Sequence, residues 1–412
     1  MRILLITYYF PPCGGAPVQR WLRFLPQLIQ RGYEVSVLCS EDGDYPFLDK
    51  ALLQKIPPKV KVIRAKAPGL QKRWGSLFGK GKSLPYGRIP TDGGLLTRCL
   101  VWMRLNLIVP DLRVFWNPSA WRAAKRELNK VPYDMVITTG PPHSSHLLGI
   151  KLRKKFGLLW FADFRDPWSG IHYLQLSPPS KLSMWLHRRL EAKVLRDTDA
   201  ALVVSQAIAD GLPPGVKHVI LNGYNPKDFS GLRYRPADRF RIKYVGQVTA
   251  GQDPGIIVGL CKALRRDFRF SLIGTNLNPE EATALRQSCG NLLQIKPFMN
   301  HREALREMVE AELLVLLVND YEGNSGMLTT KLFEYLASGT PILCFSPGTS
   351  AAARILQTID GAKVFAYHDI AAAATWVDSL VSGSRTKGNI DSYSIDIQAD
   401  KLDNALRGQI CH

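Results

Sequence analysis

Three charges close a short apolar run in the first half of the chain. Leu158 to Ala162 reads as a buried strand, and it is followed by Asp163-Phe164-Arg165-Asp166. Charges set among apolar neighbours are costly unless they are paired or put to chemical use. The cluster is therefore either an Arg–Asp structural pair or a pair of working carboxylates. A second polar group, Gly140-Pro141-Pro142-His143-Ser144-Ser145-His146, follows the run Asp134 to Thr138. Either imidazole alone fits a helix cap or a turn; together at a strand end they are candidates for contact with a ligand. A third group lies far downstream. Lys331 and Glu334 stand three apart on a predicted helix from Thr329 or Thr330 to Ser338, so they share a face. The loop before them, Tyr321 to Leu328, and the helix start offer backbone N–H groups. One cation, one carboxylate and a helix N-terminus suit a nucleoside diphosphate, with Lys331 on phosphate and Glu334 accepting from ribose hydroxyls. The plain alternative is an exposed Lys–Glu pair.

Elements of two repeated series must position these groups. Ile3 to Thr7 reads as a strand, Gly14-Gly15 as a tight loop where backbone can approach a ligand, and Val18 to Gln30 as a helix with apolar residues at Trp21, Leu22, Phe24, Leu25, Leu28 and Ile29. Glu34 to Cys39 is the next strand, which completes a βαβ unit. Polar and Gly/Pro residues from Asn225 to Asp238 read as a linker. A second series then runs from Ile242 to Val245 through Leu313 to Leu317, with the Lys331 helix ended by Gly339 and Pro341. In parallel α/β sheets, sites lie at the carboxyl ends of strands, where the 140–146 and 163–166 groups both fall. Asp197-Thr198-Asp199 spells a metal-diphosphate motif, but it sits at a helix end entering a strand, where capping is its expected use.

The 412 residues exceed one ordinary core, and 46% hydrophobic with 22% charged residues fits a globular protein. No apolar run reaches transmembrane length, and the N-terminus has no signal-peptide pattern. Seven scattered cysteines without a C-x-x-C pair point to a reducing compartment and no zinc. The net charge is +19, and from Arg64 to Lys130 fourteen Lys or Arg face Asp92, Asp111 and Glu127 alone. Trp74, Phe78, Trp102, Phe115, Trp116 and Trp121 interleave with them. Such a stretch suits an anionic partner: a membrane surface, a lipid phosphate or nucleic acid. No nucleic-acid module is recognisable, so nucleic acid is not the expected partner.

T-Y-Y-F-P-P-C-G-G at 7–15, R-G-Y-E-V-S-V-L at 31–38, N-G-Y-N at 222–225 and K-L-F-E-Y-L-A-S-G-T-P-I-L from Lys331 together resemble a GT-B glycosyltransferase, more narrowly the retaining family-four (group 1) sugar transferases. A-D-F-R-D-P-W at 162–168 is similar to a branch tied to surface polysaccharide assembly. The resemblance implies an α/β fold of two Rossmann-like domains with parallel sheets facing across a cleft. Residues 1–230 would form the acceptor side, 231–385 the nucleotide-sugar side, and 386–412 a helical tail packing back toward the first domain. It also implies that Glu334 contacts the nucleotide ribose. The family's first glutamate, eight positions earlier, is Gly326 here. The loop after the second domain's first strand, from Gly246 to Pro254, lacks the family's cations. Backbone around Gly326, Met327 and Leu328, together with Gly14, Gly15 and Gly246, would then share donor binding with Lys331.

The expected activity is transfer of a hexose-type sugar, with retention, from a nucleotide sugar to a hydroxyl of a lipid-linked or polysaccharide acceptor. No cofactor or metal is expected. Asp166, with Asp163 and His143, is the catalytic candidate, and Arg165 and His146 would orient the acceptor. The setting expected is cytoplasmic, peripheral on the inner face of the cell membrane through residues 64–130. The rival readings are a GT-B nucleotide-sugar epimerase and a non-catalytic basic protein that binds nucleic acid or membrane.

Overall fold

The computed structural model describes residues 1–45, 48–69, 95–171, 174, 177–248, 252–319 and 328–409. They divide into two compact units, one formed by Met1–Leu221 with Gln398–His412 and the other by Asn222–Ile397.

The first unit holds a seven-stranded sheet of β1 (Arg2–Ile6), β2 (Glu34–Glu41), β3 (Lys61–Lys66), β4 (Met135–Gly140), β5 (Leu159–Phe164), β6 (Ala200–Val203) and β7 (Lys217–Val219), in the order β3-β2-β1-β4-β5-β6-β7. Every described pairing is parallel, with Leu4 in register with Ser36 on one side and Val136 on the other. Helices cover both faces of such a sheet, so its central strands read as continuous apolar runs rather than alternations. Ile3 to Ile6 are accordingly inaccessible to solvent. The described helices are α1 (Ala16–Gln30), α2 (Leu95–Leu107), α3 (Asn117–Leu128), α4 (Ser144–Phe156), α5 (Lys181–Asp197) and the short α6 (Gln206–Gly211).

The second unit holds a six-stranded parallel sheet of β8 (Phe240–Val245), β9 (Phe268–Ile273), β10 (Leu293–Lys296), β11 (Leu313–Leu317), β12 (Ile342–Phe345) and β13 (Ala362–Phe365), in the order β10-β9-β8-β11-β12-β13. Its helices are α7 (Gly255–Ala263), α8 (Pro279–Cys289), α9 (His301–Val309), α10 (Thr330–Ser338), α11 (Ala351–Leu356) and α12 (Ile370–Ser379). The chain returns to the first unit along α13 (Ile395–Gly408). Leu402 and Leu406 of that helix are buried, Tyr33 donates to Asp403 at 2.6 Å, and Arg31 pairs with Asp400.

Both sheets reverse their winding once. The reversal lies between β1 and β4 in the first and between β8 and β11 in the second. Diverging connections there leave a crevice beyond the strand ends, which fixes where a ligand enters each unit.

Candidate functional site

In the first unit, β1 leads into Gly14 and Gly15, and Gly15 takes φ +94° as the chain turns into α1. A side chain is strained at that angle, so glycine is needed there. The partner of Asp163 is not Arg165 but Arg20 of α1. Arg20 is 3% exposed, Asp163 is fully buried, and Nη2 meets Oδ1 at 3.0 Å. Trp21 Nε1 and Thr139 Oγ1 also donate to Asp163 Oδ2, at 3.0 and 2.8 Å. Both carboxylate oxygens are thus engaged inside the wall of the site, which suits Asp163 to positioning α1 rather than to touching a reacting atom. Arg165 is likewise engaged. It donates to the carbonyls of Gly140 (3.1 Å), Pro17 (2.8 Å) and Pro141 (2.5 Å), tying the start of α1 to the loop after β4. Its guanidinium holds two loops together, a different task from orienting an acceptor. Asp166, the next residue, is half-buried.

His143 occupies the cap position of α4 but makes no capping hydrogen bond. Asp111 does that work, accepting from Ser144 N at 2.9 Å and Ser144 Oγ at 2.8 Å. His143 is 2% exposed, lies parallel to Trp168 at 5.1 Å, and neither ring nitrogen has a partner. His146 stacks on Phe164 at 4.6 Å. Trp160 Nε1 donates to Thr138 Oγ1, and the same hydroxyl is hydrogen-bonded to His146 Nδ1 at 2.8 Å. Nε2 of the same ring has no hydrogen-bond partner. Burial holds both rings neutral: His146 falls to about 3, and His143 lies well below its ordinary value, lowered further by His146 and Arg165. A neutral imidazole suits a sugar hydroxyl, and as an acid these rings would be poor. Both crowd Gly140, where a Cβ would stand 2.8 Å from His146 Nε2 and 2.9 Å from His143 Nδ1.

In the second unit, α10 starts at Thr329, whose backbone is in the cap conformation but whose side chain makes no cap hydrogen bond. Gly339 ends the helix at φ +68°, as its position predicts. Lys331 and Glu334 do not form an exposed pair. Lys331 Nζ reaches to the end of β8, donating to Tyr244 Oη at 2.7 Å and to the Gln247 carbonyl at 2.9 Å, 4.5 Å from the Tyr244 ring centre. Among the described residues no carboxylate lies within ion-pair distance of it. Burial pushes the Lys331 ammonium down to about 7, with Glu334 opposing the shift. Tyr244, whose phenol burial raises well above its ordinary value, stays a neutral partner. Gly246 sits beneath the lysine at φ +121°, and a Cβ there would lie 2.9 Å from Lys331 Cδ. Tyr335 bonds both backbone groups of Val245, fixing β8 against α10. Glu334 is 8% exposed and meets His301 Nε2 at 3.0 Å. Leu328 is buried, and Gly326 and Met327 lie outside the described residues.

Sequence reasoning missed three participants: Arg20, Tyr244 and His301. Arg20 alone had a signal, since it falls on the apolar side of α1 one turn before Phe24 and a buried cation demands a buried anion. The Asp-Thr-Asp run is structural: Asp197 pairs with Lys193 and Arg196, and Asp199 pairs with Arg153. Among the described residues no group of three His, Cys, Asp or Glu is arranged to hold a metal ion, and no helix is long and apolar enough to cross a membrane.

No curated protein matches the chain significantly. Solved structures match over almost its whole length. Sucrose-phosphate synthase from Thermosynechococcus elongatus is 16% identical, with a TM-score of 0.64, covering 100% of this chain and 99% of that one. HepE from Anabaena, solved with UDP and glucose, is 13% identical with a TM-score of 0.65, covering 99% and 100%. WaaG, a glycosyltransferase of lipopolysaccharide biosynthesis, is 13% identical with a TM-score of 0.52, covering 98% and 95%. At these identities the likeness establishes the fold, which is GT-B. The family model described as "Glycosyl transferase 4-like domain" matches residues 15–223, about half of the chain, from the glycine loop through β7. The chain belongs to that family and is a glycosyltransferase.

Proposed function

We propose that the protein transfers a sugar from a nucleotide sugar to an acceptor hydroxyl with retention at the anomeric carbon. One observation carries this reading: Lys331 is held at the strand reversal of the second sheet with neutral oxygens as its partners among the described residues. A cation so placed is suited to a diphosphate, whose charge grows as the sugar–phosphate bond breaks. Backbone N–H groups at the uncapped start of α10 would add to it. Glu334, oriented by His301, would accept from ribose hydroxyls. HepE, which shares the fold, was solved with UDP and glucose.

In this reading the C1–O bond to the leaving phosphate breaks and a bond from the acceptor oxygen to C1 forms. The acceptor proton passes to the departing diphosphate, so no side chain has to serve as base. The neutral imidazoles of His143 and His146 would bond sugar or acceptor hydroxyls. Asp166 would stabilise positive charge at C1 or orient the acceptor. No metal is required, because Lys331 and the backbone supply the positive charge. A lipid-linked or polysaccharide acceptor, cytoplasmic on the membrane's inner face, completes the proposal, supported by the cationic surface of the first unit.

The test is a thermal-shift and calorimetric screen of UDP-, GDP-, dTDP- and CMP-sugars, repeated on Lys331→Ala and Glu334→Ala. Weaker binding in both variants is expected, and unchanged affinity in both would sink the donor assignment. Conversion of a nucleotide sugar with no acceptor present would favour an epimerase instead.

A further inference from the structure

The charge excess in the sequence was concentrated at residues 64–130, but 70–94 lie outside the described residues and Trp116 is buried, donating to the Ala65 carbonyl. The described structure gathers cationic charge elsewhere. Helices α3, α4 and α5 pack side by side, and α2 packs on α5. Together these four helices carry fourteen Lys or Arg and three acidic residues. All three acids are engaged: Glu127 by Lys61 and Tyr133, Glu191 by Ser169, and Asp197 by Lys193 and Arg196. The exposed side of these helices therefore carries a net positive charge, with Arg98, Lys181, Arg188 and Arg189 among its exposed cations.

At one corner this surface is also apolar. Trp102 and Leu107 of α2 are 55% and 67% exposed, and Leu182 and Trp185 of α5 are 68% and 51% exposed. The two helices are fixed to each other there. Ser183 Oγ donates to the Leu105 carbonyl at 2.8 Å, Ser180 N donates to Asn106 at 2.7 Å, and Leu105 packs with Val101 and Met184 beneath. With their inner faces spent on that packing, the four large side chains point outward. Each tryptophan has exposed cations one turn away on its own helix: Arg98 before Trp102, and Lys181 and Arg189 on either side of Trp185, with the Arg189 guanidinium 5.0 Å from the Trp185 ring.

We propose that the α2–α5 corner docks on an anionic lipid bilayer. Indole rings and leucines entering the headgroup layer, ringed by Lys and Arg, match the chemistry of that interface. Nucleic acid is the poorer occupant, because Leu107 and Leu182 have nothing to bind on a phosphodiester chain. The placement also has a consequence for the reaction. The start of α5 follows β5, so Lys181, Leu182 and Trp185 lie toward the same strand-end edge of the first sheet as His143 and Asp166. Docking would hold that edge against the surface in which a lipid-borne hydroxyl resides. This deepens the proposed transfer reaction and rests on it, while the binding itself does not.

The experiment is co-sedimentation of the full chain with vesicles of phosphatidylcholine alone or with phosphatidylglycerol, at low and high salt. Binding to the anionic vesicles at low salt, at least about tenfold weaker on neutral vesicles or in high salt, is expected. Trp102→Ser with Trp185→Ser, and separately Lys181→Glu with Arg189→Glu, should each weaken binding about tenfold or more at an unchanged melting temperature. Lys262→Glu, on the second unit, should leave it unaltered. Lys331→Ala should bind vesicles normally while losing nucleotide, which separates failure of this proposal from failure of the donor assignment. Absence of binding at low salt, equal binding to neutral vesicles, or corner variants that bind as the unaltered protein would each overturn the proposal, as would competition by an oligonucleotide with no loss in the tryptophan variant.

Discussion

The two strand-reversal sites of this molecule deal with charge in opposite ways. In the first unit the charges of Asp163 and Arg165 are each satisfied from within, Asp163 by Arg20, Trp21 and Thr139 and Arg165 by three carbonyls, and the polar atoms left over beside them are neutral imidazole nitrogens and the Ser145 hydroxyl. In the second unit the central group is a cation whose close partners among the described residues are a phenol and a carbonyl. The first arrangement is finished as a scaffold and suits a neutral, hydroxyl-bearing ligand. The second is electrostatically incomplete and suits an anion. Asp163 and Arg165 are therefore framework in one unit, while Lys331 is left for ligand chemistry in the other. What separates them is whether a counter-charge arrives from a distant helix.

The sharpest way to break the comparison is to remove half of the buried pair. Asp163→Ala leaves Arg20 buried without its anion, and chemical denaturation should register a loss of about 3–5 kcal/mol. A loss below about 1 kcal/mol would mean that Asp163 is not framework. The lysine should behave in reverse. Lys331→Ala should cost about 1.5–3 kcal/mol of nucleotide-diphosphate affinity, the worth of hydrogen bonds to a charged group, and leave stability nearly unchanged. A variant that unfolds instead would place Lys331 in the framework.

The pH dependence gives a finer test. Lys331 sits at about 7 in the unliganded protein, and a bound diphosphate favours its charged form. Below that value the group is already protonated. Above it, binding must take up a proton, so UDP affinity should fall between pH 7 and 9, by at most about tenfold per unit. Calorimetry in buffers of different ionisation enthalpy would detect the uptake, and a flat affinity with no proton uptake would rule it out. The smallest effect is expected at His301. His301→Ala removes the partner of Glu334 without touching phosphate, so affinity for a nucleoside diphosphate should drop about threefold to tenfold, as for one hydrogen bond. Ribose-modified nucleotides should lose that sensitivity.

The architecture was largely legible because a parallel sheet covered on both faces writes itself as runs such as Ile3–Ile6 and Leu313–Leu317, punctuated by glycine at the first turn. Short elements were not. The six-residue α6 and α11 carry too few turns for a period to register. The site was legible in its residue types and obscure in its pairings. Asp163 meets Arg20 across 143 residues, and Lys331 meets Tyr244 across 87. Nothing local distinguishes a carboxylate that a far helix will neutralise from one left for a ligand. Thr329 illustrates the converse: a residue well suited to capping takes the cap conformation and makes no cap bond.

One feature of the chain's path bears on its biosynthesis. The polypeptide leaves the first unit after Leu221 and re-enters it at Gln398, and Leu221 N donates to the Gln398 side chain at 2.8 Å. The whole second unit is thus an insertion between two hydrogen-bonded residues. On the ribosome its sheet is complete before Leu402 and Leu406 exist to fill their places beside α1. The unit begun first is finished last, and a nascent chain must keep that apolar seat open while its neighbour folds.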